Sequence, residues 1–297
     1  MLSVRVQTIF LREEILSNFF LRKAAVLGAG VMGAQIAAHL ANAEVPVVLF
    51  DLPASSGDPN GIVRKAIDGL KNLEPSPLAS KDRVAYIDAA NYEQHLDQLK
   101  DCDLIIEAIA EKMEWKDDLY RKIAPFISPQ AIVASNTSGL SINRLSEGLP
   151  EAMRAQFCGI HFFNPPRYMH LVELIATRST APELLDKLES WLVSRLGKGI
   201  VCARDTPNFV ANRVGVFSIL AVMHHTQQFG LGFDVVDALT GPIIGRPKSA
   251  TYRTADVVGL DTLAHVIKTM QDTLGLSLIH ISEPTRRTPI SYAVFCL

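Results

Sequence analysis

The stretch from Lys23 to Asp51 constrains this chain more than any other. A short apolar run, Ala24-Ala25-Val26-Leu27, leads into Gly28-Ala29-Gly30-Val31-Met32-Gly33 and a helical pattern through Leu40. A second apolar run, Val45 to Phe50, ends in Asp51. The order is strand, tight turn, helix, strand, acid. Gly28 suits the turn, Gly30 lets a pyrophosphate approach the backbone, and Gly33 lets the helix pack close to the sheet. The N–H groups of the first helical turn, at Val31 and Met32, sit at the positive end of the helix and face the phosphates. Asp51 can accept hydrogen bonds from both hydroxyls of an adenosine ribose. Leu52 and Pro53 follow it, and no cation, so the pattern favours NAD over NADP. The competing reading is a glycine-rich βα turn with no ligand.

The remaining bulk properties narrow the class. A chain of 297 residues holds one large or two ordinary domains, and 48% hydrophobic residues supply a core. A net charge of −2 gives no reason to expect nucleic acid. Cys102, Cys158, Cys202 and Cys296 are scattered without a CxxC, which reads as reduced thiols in a cytoplasmic protein. No apolar run reaches the ~20 residues of a membrane span, so no membrane partner is expected. Residues 1–22 carry Arg5, Arg12 and Arg22, but Glu13 and Glu14 argue against a transit peptide. They are read as an N-terminal extension without assigned function.

Periodicity organises the rest. Pro53 to Asn60 is a loop, and Ile62, Ala66, Ile67 and Leu70 recur at helical spacing. A strand is expected over Val84–Ala89 and a helix over Tyr92–Leu99. Asp103–Ile109 reads as a buried strand, Trp115–Ile127 as a helix and Ala131–Ser135 as another buried strand. Such alternation predicts a Rossmann-type α/β domain over residues 23–204, with a doubly wound parallel sheet. Its ligands belong at the carboxyl ends of the strands. One such end is the glycine loop. A second leads to Glu111, with Lys116 a little over one helical turn on. The third is Asn136-Thr137-Ser138-Gly139, a polar loop that suits either a cofactor or substrate hydroxyl or the capping of the next helix, which Ser141 does equally well.

Chemistry points to the next stretch. Gly159-Ile160-His161-Phe162-Phe163-Asn164-Pro165-Pro166 ends a strand in a turn, and His170-Leu171-Val172-Glu173-Leu174-Ile175 reads as the returning strand. That layout brings His161 and Glu173 face to face. A neutral imidazole removes a hydroxyl proton near pH 7, and a carboxylate on its other nitrogen fixes the tautomer. The plain alternative is a buried histidine with a partner. His170 reads as a rim residue. Leu184, Leu188, Leu192 and Leu196 form a core stripe, and Gly199–Ala203 a last strand. Asp205-Thr206-Pro207-Asn208 reads as a helix start. From there Val210, Val214, Phe217, Leu220 and Met223 share an apolar face, so a partial all-α domain is expected over 205–275. Asn212 and Arg213 fall in its first turns, near the boundary where a cleft is expected. His224-His225 point in different directions on a helix, and no metal is expected. Gly241–Lys248 is a basic loop. Leu263, Val266, Ile267, Met270 and Leu274 mark a further amphipathic helix.

Taken together these motifs resemble the 3-hydroxyacyl-CoA dehydrogenases over about residues 23–275. The resemblance rests on the glycine loop, Ser135-Asn136-Thr137-Ser138, His161-Phe162-Phe163-Asn164-Pro165, Leu171-Val172-Glu173 and Asp205-Thr206-Pro207-Asn208-Phe209-Val210-Ala211-Asn212-Arg213. Gly241 to Asp261 looks most like the long bacterial type, in which an enoyl-CoA hydratase domain shares the chain. The resemblance implies oxidation of L-3-hydroxyacyl-CoA to 3-ketoacyl-CoA with NAD in fatty-acid β-oxidation. His161 is similar to the family's catalytic base and Glu173 to the acid that orients it. Ser138 and Asn212 match its substrate contacts; Asp51, Glu111, Lys116 and Asn136 match positions near the cofactor or CoA. Lys116, Arg246 and Lys248 would suit CoA phosphates. Residues 276–297 match nothing in the family and read as translated adapter or vector sequence after a truncated helical domain. That puts the family's homodimer in doubt. Two alternatives stand beside this reading: another NAD-linked 3-hydroxy-acid dehydrogenase, and an inactive NAD-binding fragment.

Overall fold

The computed structural model describes residues 19–273. The expectations for residues 1–18, Leu274, Cys296 and the 276–297 tail lie outside the described residues. The chain divides into two compact units, one ending at Asp205 and the other starting at Thr206.

The first unit is a sheet covered by helices. In chain order it contains β1 (Ala24–Leu27), α1 (Val31–Asn42), β2 (Val47–Asp51), α2 (Gly61–Gly69), β3 (Ile87–Asn91), β4 (Leu104–Glu107) and α3 (Met113–Ile123). Then come β5 (Ile132–Ser135), α4 (Ile142–Glu147), β6 (Phe157–Phe162), β7 (Leu171–Ala176), α5 (Pro182–Leu196) and β8 (Gly199–Ala203). Strand order is β3-β2-β1-β4-β5-β6-β7-β8, and every pairing is parallel except β6 with β7. The apolar runs explain the layout: β1, β4 and β5 are buried on both faces, as strands of a parallel sheet flanked by helices must be. Leu184, Leu188, Trp191 and Leu192 bury one side of α5 in the same core. Pro182 opens that helix, and Gly197, at φ 65°, closes it in the left-handed region.

Two expected elements of this unit differ. Over 84–89 the chain forms a 3-10 turn, Lys81–Tyr86, and only then β3. Val84 and Tyr86 pack on the core from that turn, so their spacing is not a strand's alternation. The helix expected over Tyr92–Leu99 is replaced by a turn and a 3-10 segment, Leu96–Asp101. Asn91 Oδ1 accepts from the backbone N–H groups of Glu93 and Gln94, an Asx turn that competes with helix.

The second unit contains α6 (Ala211–Phe229), α7 (Phe233–Thr240), α8 (Tyr252–Val258) and α9 (Leu260–Thr273). The helix expected to start at Asp205–Asn208 begins at Ala211 instead. Asn208 and Phe209 take φ of 57° and 47°, and the Phe209 side chain is buried. Burying that ring outweighs continuing the helix. The apolar face is only partly the expected one: Leu220 packs with Val216, Ala255 and Leu263, while Val210, Val214 and Phe217 are exposed. Ile219, Met223, Val266 and Ile267 border that cluster. Among the described residues no helix is long and apolar enough to cross a membrane.

Candidate active site

The carboxyl ends of β1, β4, β5 and β6 lie side by side on one edge of the sheet. At the ~4.8 Å spacing of neighbouring strands, that edge runs about 14 Å from the first to the last. The loop after β1 depends on its glycines. Gly28 has φ 107°, and a Cβ there would lie 2.7 Å from the Ala108 carbonyl oxygen. A Cβ on Gly33 would fall 1.8 Å from the Gly28 carbonyl oxygen, so Gly33 is needed mainly against its own loop, with Ala108 next. A Cβ on Gly30 would meet nothing within 4 Å: this glycine leaves space open rather than avoiding a neighbour. Gly30 also caps α1 without a side chain, and an uncapped first turn offers backbone N–H donors at Val31 and Met32. Val31 is 68% exposed, while Met32 packs partly on the core. Asp51, at the end of β2, accepts from Ala29 N–H at 2.6 Å and Leu52 N–H at 2.7 Å. Each carboxylate oxygen keeps a further lone pair for a ribose hydroxyl. These features fit a dinucleotide with an adenosine ribose at Asp51.

The β4 and β5 ends are tied together by carboxylates. Glu111 Oε1 accepts from Thr137 Oγ1, from Ser138 N–H at 3.0 Å and from Gly139 N–H at 3.1 Å. Ser138 Oγ lies 3.4 Å from the same oxygen, at the long end for a hydrogen bond. Asn136 N–H donates to the Glu107 carbonyl, and its side-chain Oδ1 accepts from Phe162 N–H at 2.9 Å. That bond joins the loop to β6 beside His161. Lys116 is 1% exposed; its ammonium reaches Glu107 Oε1 and the Ile109 carbonyl, with Glu111 Oε2 at 3.6 Å. Burial removes it as a surface cation for CoA phosphates. Arg246, in the other unit, donates to Ser218 Oγ.

The antiparallel pair of β6 and β7 sets His161 directly opposite Glu173. His161 Nδ1 and Glu173 Oε2 are 2.8 Å apart, and both side chains are buried. An ionised carboxylate only accepts, so it favours the imidazole tautomer that carries its proton on Nδ1. Phe163 packs on the imidazole at 4.4 Å between ring centroids. The connecting turn, with a cis peptide before Pro165, is held by Lys198, whose buried ammonium donates to the carbonyls of Pro166 and Met169. His170 is exposed. Asn212 and Arg213 lie in the first turn of α6, where Arg213 reaches Thr206 Oγ1 at 3.3 Å. Among the described residues no group of three or more His, Cys, Asp or Glu could hold a metal.

The profile of the 3-hydroxyacyl-CoA dehydrogenase NAD-binding domain matches residues 23–206. A Deinococcus radiodurans protein named "Probable 3-hydroxyacyl-CoA dehydrogenase" is 44% identical over 247 residues, covering 83% of this chain and 71% of its own. The chain belongs to the 3-hydroxyacyl-CoA dehydrogenase family. A Rickettsia prowazekii sequence, named as a trifunctional enzyme of a fatty acid oxidation complex, is 42% identical over 82% of this chain. The chain spans 34% of that longer relative. Among solved structures, (S)-3-hydroxybutyryl-CoA dehydrogenase of Ralstonia eutropha superposes with a TM-score of 0.72 at 28% identity, covering 86% of this chain and 88% of that one.

In this 3-hydroxyacyl-CoA dehydrogenase family member, two carboxylates with organising roles escape a reading of the sequence. Glu107 falls inside the run expected as a buried strand and draws no separate notice there, yet it ends β4 fully buried and bonded on both oxygens. Asp205 looks like a cap for the helix that follows it. Instead it caps α4 from a distance, accepting from Ser141 Oγ, Ile142 N–H, Asn143 N–H and Asn143 Nδ2. The one available signal for Glu107 is a charged residue in a run otherwise buried on both faces.

Proposed function

We propose that this chain oxidises an L-3-hydroxyacyl-CoA to the 3-ketoacyl-CoA with NAD, as a step of fatty-acid β-oxidation. The 2.8 Å pair of His161 Nδ1 and Glu173 Oε2, on the strand edge that carries the glycine loop, supports this reading most. His161 Nε2 takes the proton of the substrate's 3-hydroxyl. Glu173 keeps the imidazole in the tautomer that can accept it and stabilises the imidazolium that forms. Bound NAD supplies the acceptor for the hydride leaving C3. The N–H groups of Val31 and Met32 and the space left at Gly30 hold the pyrophosphate, in a loop whose path Gly28 and Gly33 permit, and Asp51 holds the adenosine ribose. Glu111, Asn136 and Lys116 shape the far end of the cofactor site, and Ser138 contacts the acyl-CoA. Phe163 packs its ring against the imidazole.

The test is NADH consumption by the purified chain with acetoacetyl-CoA, beside free acetoacetate at the same concentration. Turnover of the CoA ester alone supports the reading. Turnover of the free acid at equal rate replaces it with a 3-hydroxy-acid dehydrogenase that ignores CoA. NADH binding without any turnover makes the chain an inactive NAD-binding fragment.

A further inference from the structure

Glu107 is a buried carboxylate whose four side-chain partners come from β5, from the loop after β4 and from α3. Its Oε1 accepts from Ile109 N–H at 2.8 Å and from the Lys116 ammonium. Its Oε2 accepts from Tyr120 Oη at 3.0 Å and Ser135 Oγ at 2.6 Å. Burial, then the neighbouring Glu107 charge, pushes the Tyr120 phenol well up, so it stays protonated and donates. The residue next to Glu107 is Ala108, whose carbonyl sits where a side chain on Gly28 would go. Ser135 Oγ in turn accepts from Thr137 N–H at 3.2 Å, and the Glu107 carbonyl accepts from Asn136 N–H. Lys116 lies between Glu107 and Glu111, and Glu111 grips residues 137–139.

From this geometry we infer that Glu107 is a positioning residue that locks the loops after β4 and β5 in register with the glycine loop after β1. Lys116 is its counter-charge. Two opposite charges, each essentially removed from water, are costly to bury and are weak evidence for stability alone. What the pair does here is geometric. The Glu107 carboxylate holds Ile109 N–H, next to the Ala108 that abuts Gly28, on one side, and on the other Ser135 Oγ, which in turn accepts from Thr137 N–H. The dinucleotide lies across those loops under the function proposed above, on which this inference rests. Glu107 therefore reaches the cofactor only through the backbone it holds.

Removing either partner alone strands the other's buried charge and destabilises the fold, so affinities are compared at a temperature at which every variant is folded. The informative protein is the double variant Glu107→Gln/Lys116→Met, compared with Lys116→Met alone and with the unaltered chain. Two quantities are measured: melting temperature, and NADH affinity by fluorescence titration, which needs no turnover. The expected result is a double variant that melts within a few degrees of the unaltered chain yet binds NADH at least tenfold more weakly than Lys116→Met. Equal NADH affinity in the double variant and Lys116→Met overturns the inference, because the loss then belongs to Lys116. So does an NADH affinity in the double variant equal to that of the unaltered chain. Should the unaltered chain bind NADH but turn over no acyl-CoA, the functional proposal fails while the affinity comparison still decides the role of Glu107.

Discussion

Gly30 and Gly33 stand three residues apart in one loop, and the structure gives them opposite reasons for being glycine. An alanine at Gly33 puts its Cβ 1.8 Å from the Gly28 carbonyl oxygen, against 3.4–4 Å for ordinary contact. The loop carbonyl must move by about 1.5 Å, in a region packed too densely to absorb it. Overpacking of that kind costs about 1–3 kcal/mol, which for a unit of this size lowers the melting temperature by about 3–10 °C. An alanine at Gly30 meets no protein atom within 4 Å, and its φ of −68° suits any residue. The cost to the fold is only the poorer cap, about 0.5–1 kcal/mol. Its methyl group does occupy the space through which a pyrophosphate would approach. Gly30→Ala should therefore melt within about 3 °C of the unaltered chain and bind NADH at least tenfold more weakly, about 1.4 kcal/mol. Gly33→Ala should lose both stability and binding. Differential scanning fluorimetry and NADH fluorescence titration on the same preparations read both quantities. A Gly30→Ala protein that binds NADH as well as the unaltered chain would refute the placement of the pyrophosphate.

Three further outcomes follow from the same geometry. His161→Gln should cut turnover with acetoacetyl-CoA by roughly 10³-fold or more and leave NADH affinity nearly unchanged; matching losses in both would make His161 structural. Asp51→Ala should weaken NADH binding and narrow the preference over NADPH, because the carboxylate that repels a 2′-phosphate is gone; an unchanged preference in paired titrations would remove Asp51 from the ribose site. His39 is buried with neither ring nitrogen partnered among the described residues, and burial, then the charges of Lys198 and Arg167, push it from 6.5 down to about 3. Its neutral form is the folded one, so its contribution to stability is full above pH 6.5 and falls as the unfolded state takes up the proton between pH 6.5 and 3. At pH 5 that amounts to about 2 kcal/mol. Urea melts at pH 7.5 and pH 5 should show this loss, and His39→Leu should remove most of it; an equal loss in the variant would place the acid sensitivity elsewhere.

The parts of the fold that could be read in the sequence are those where one physical demand acts alone. The glycine loop is such a case, since Gly28 at φ 107° and Gly33 against a carbonyl admit no other residue. The buried strands are another, because a parallel strand between two helical layers needs an unbroken apolar run. The strand and helix expected over 84–99 failed where two demands compete. Val84 and Tyr86 serve the core from a 3-10 turn, and Asn91 spends its side chain on the backbone that would have begun a helix. At the start of the helical unit, Pro207 signals a first turn, but burial of Phe209 delays the helix to Ala211.

For the candidate site the same division runs between residues that act on a ligand and residues that act on each other. His161 and Glu173 are legible because strand, proline turn and strand leave few ways to arrange them, and the register sets them opposite. In the sequence Glu111 and Ser138 look like independent strand-end groups, whereas in the structure Glu111 Oε1 accepts from Ser138 N–H and the two form one unit. Glu111 stands out by its place beyond a strand end, whereas Glu107 is fully buried and bonds Ile109 N–H, Lys116, Tyr120 and Ser135. A carboxylate that bonds four such groups leaves no spacing rule behind, because its partners come from the loop after β4, from β5 and from α3 in whatever register the sheet allows. Such residues become visible only once the strands are in order. They are also where a substitution changes cofactor affinity without touching the cofactor.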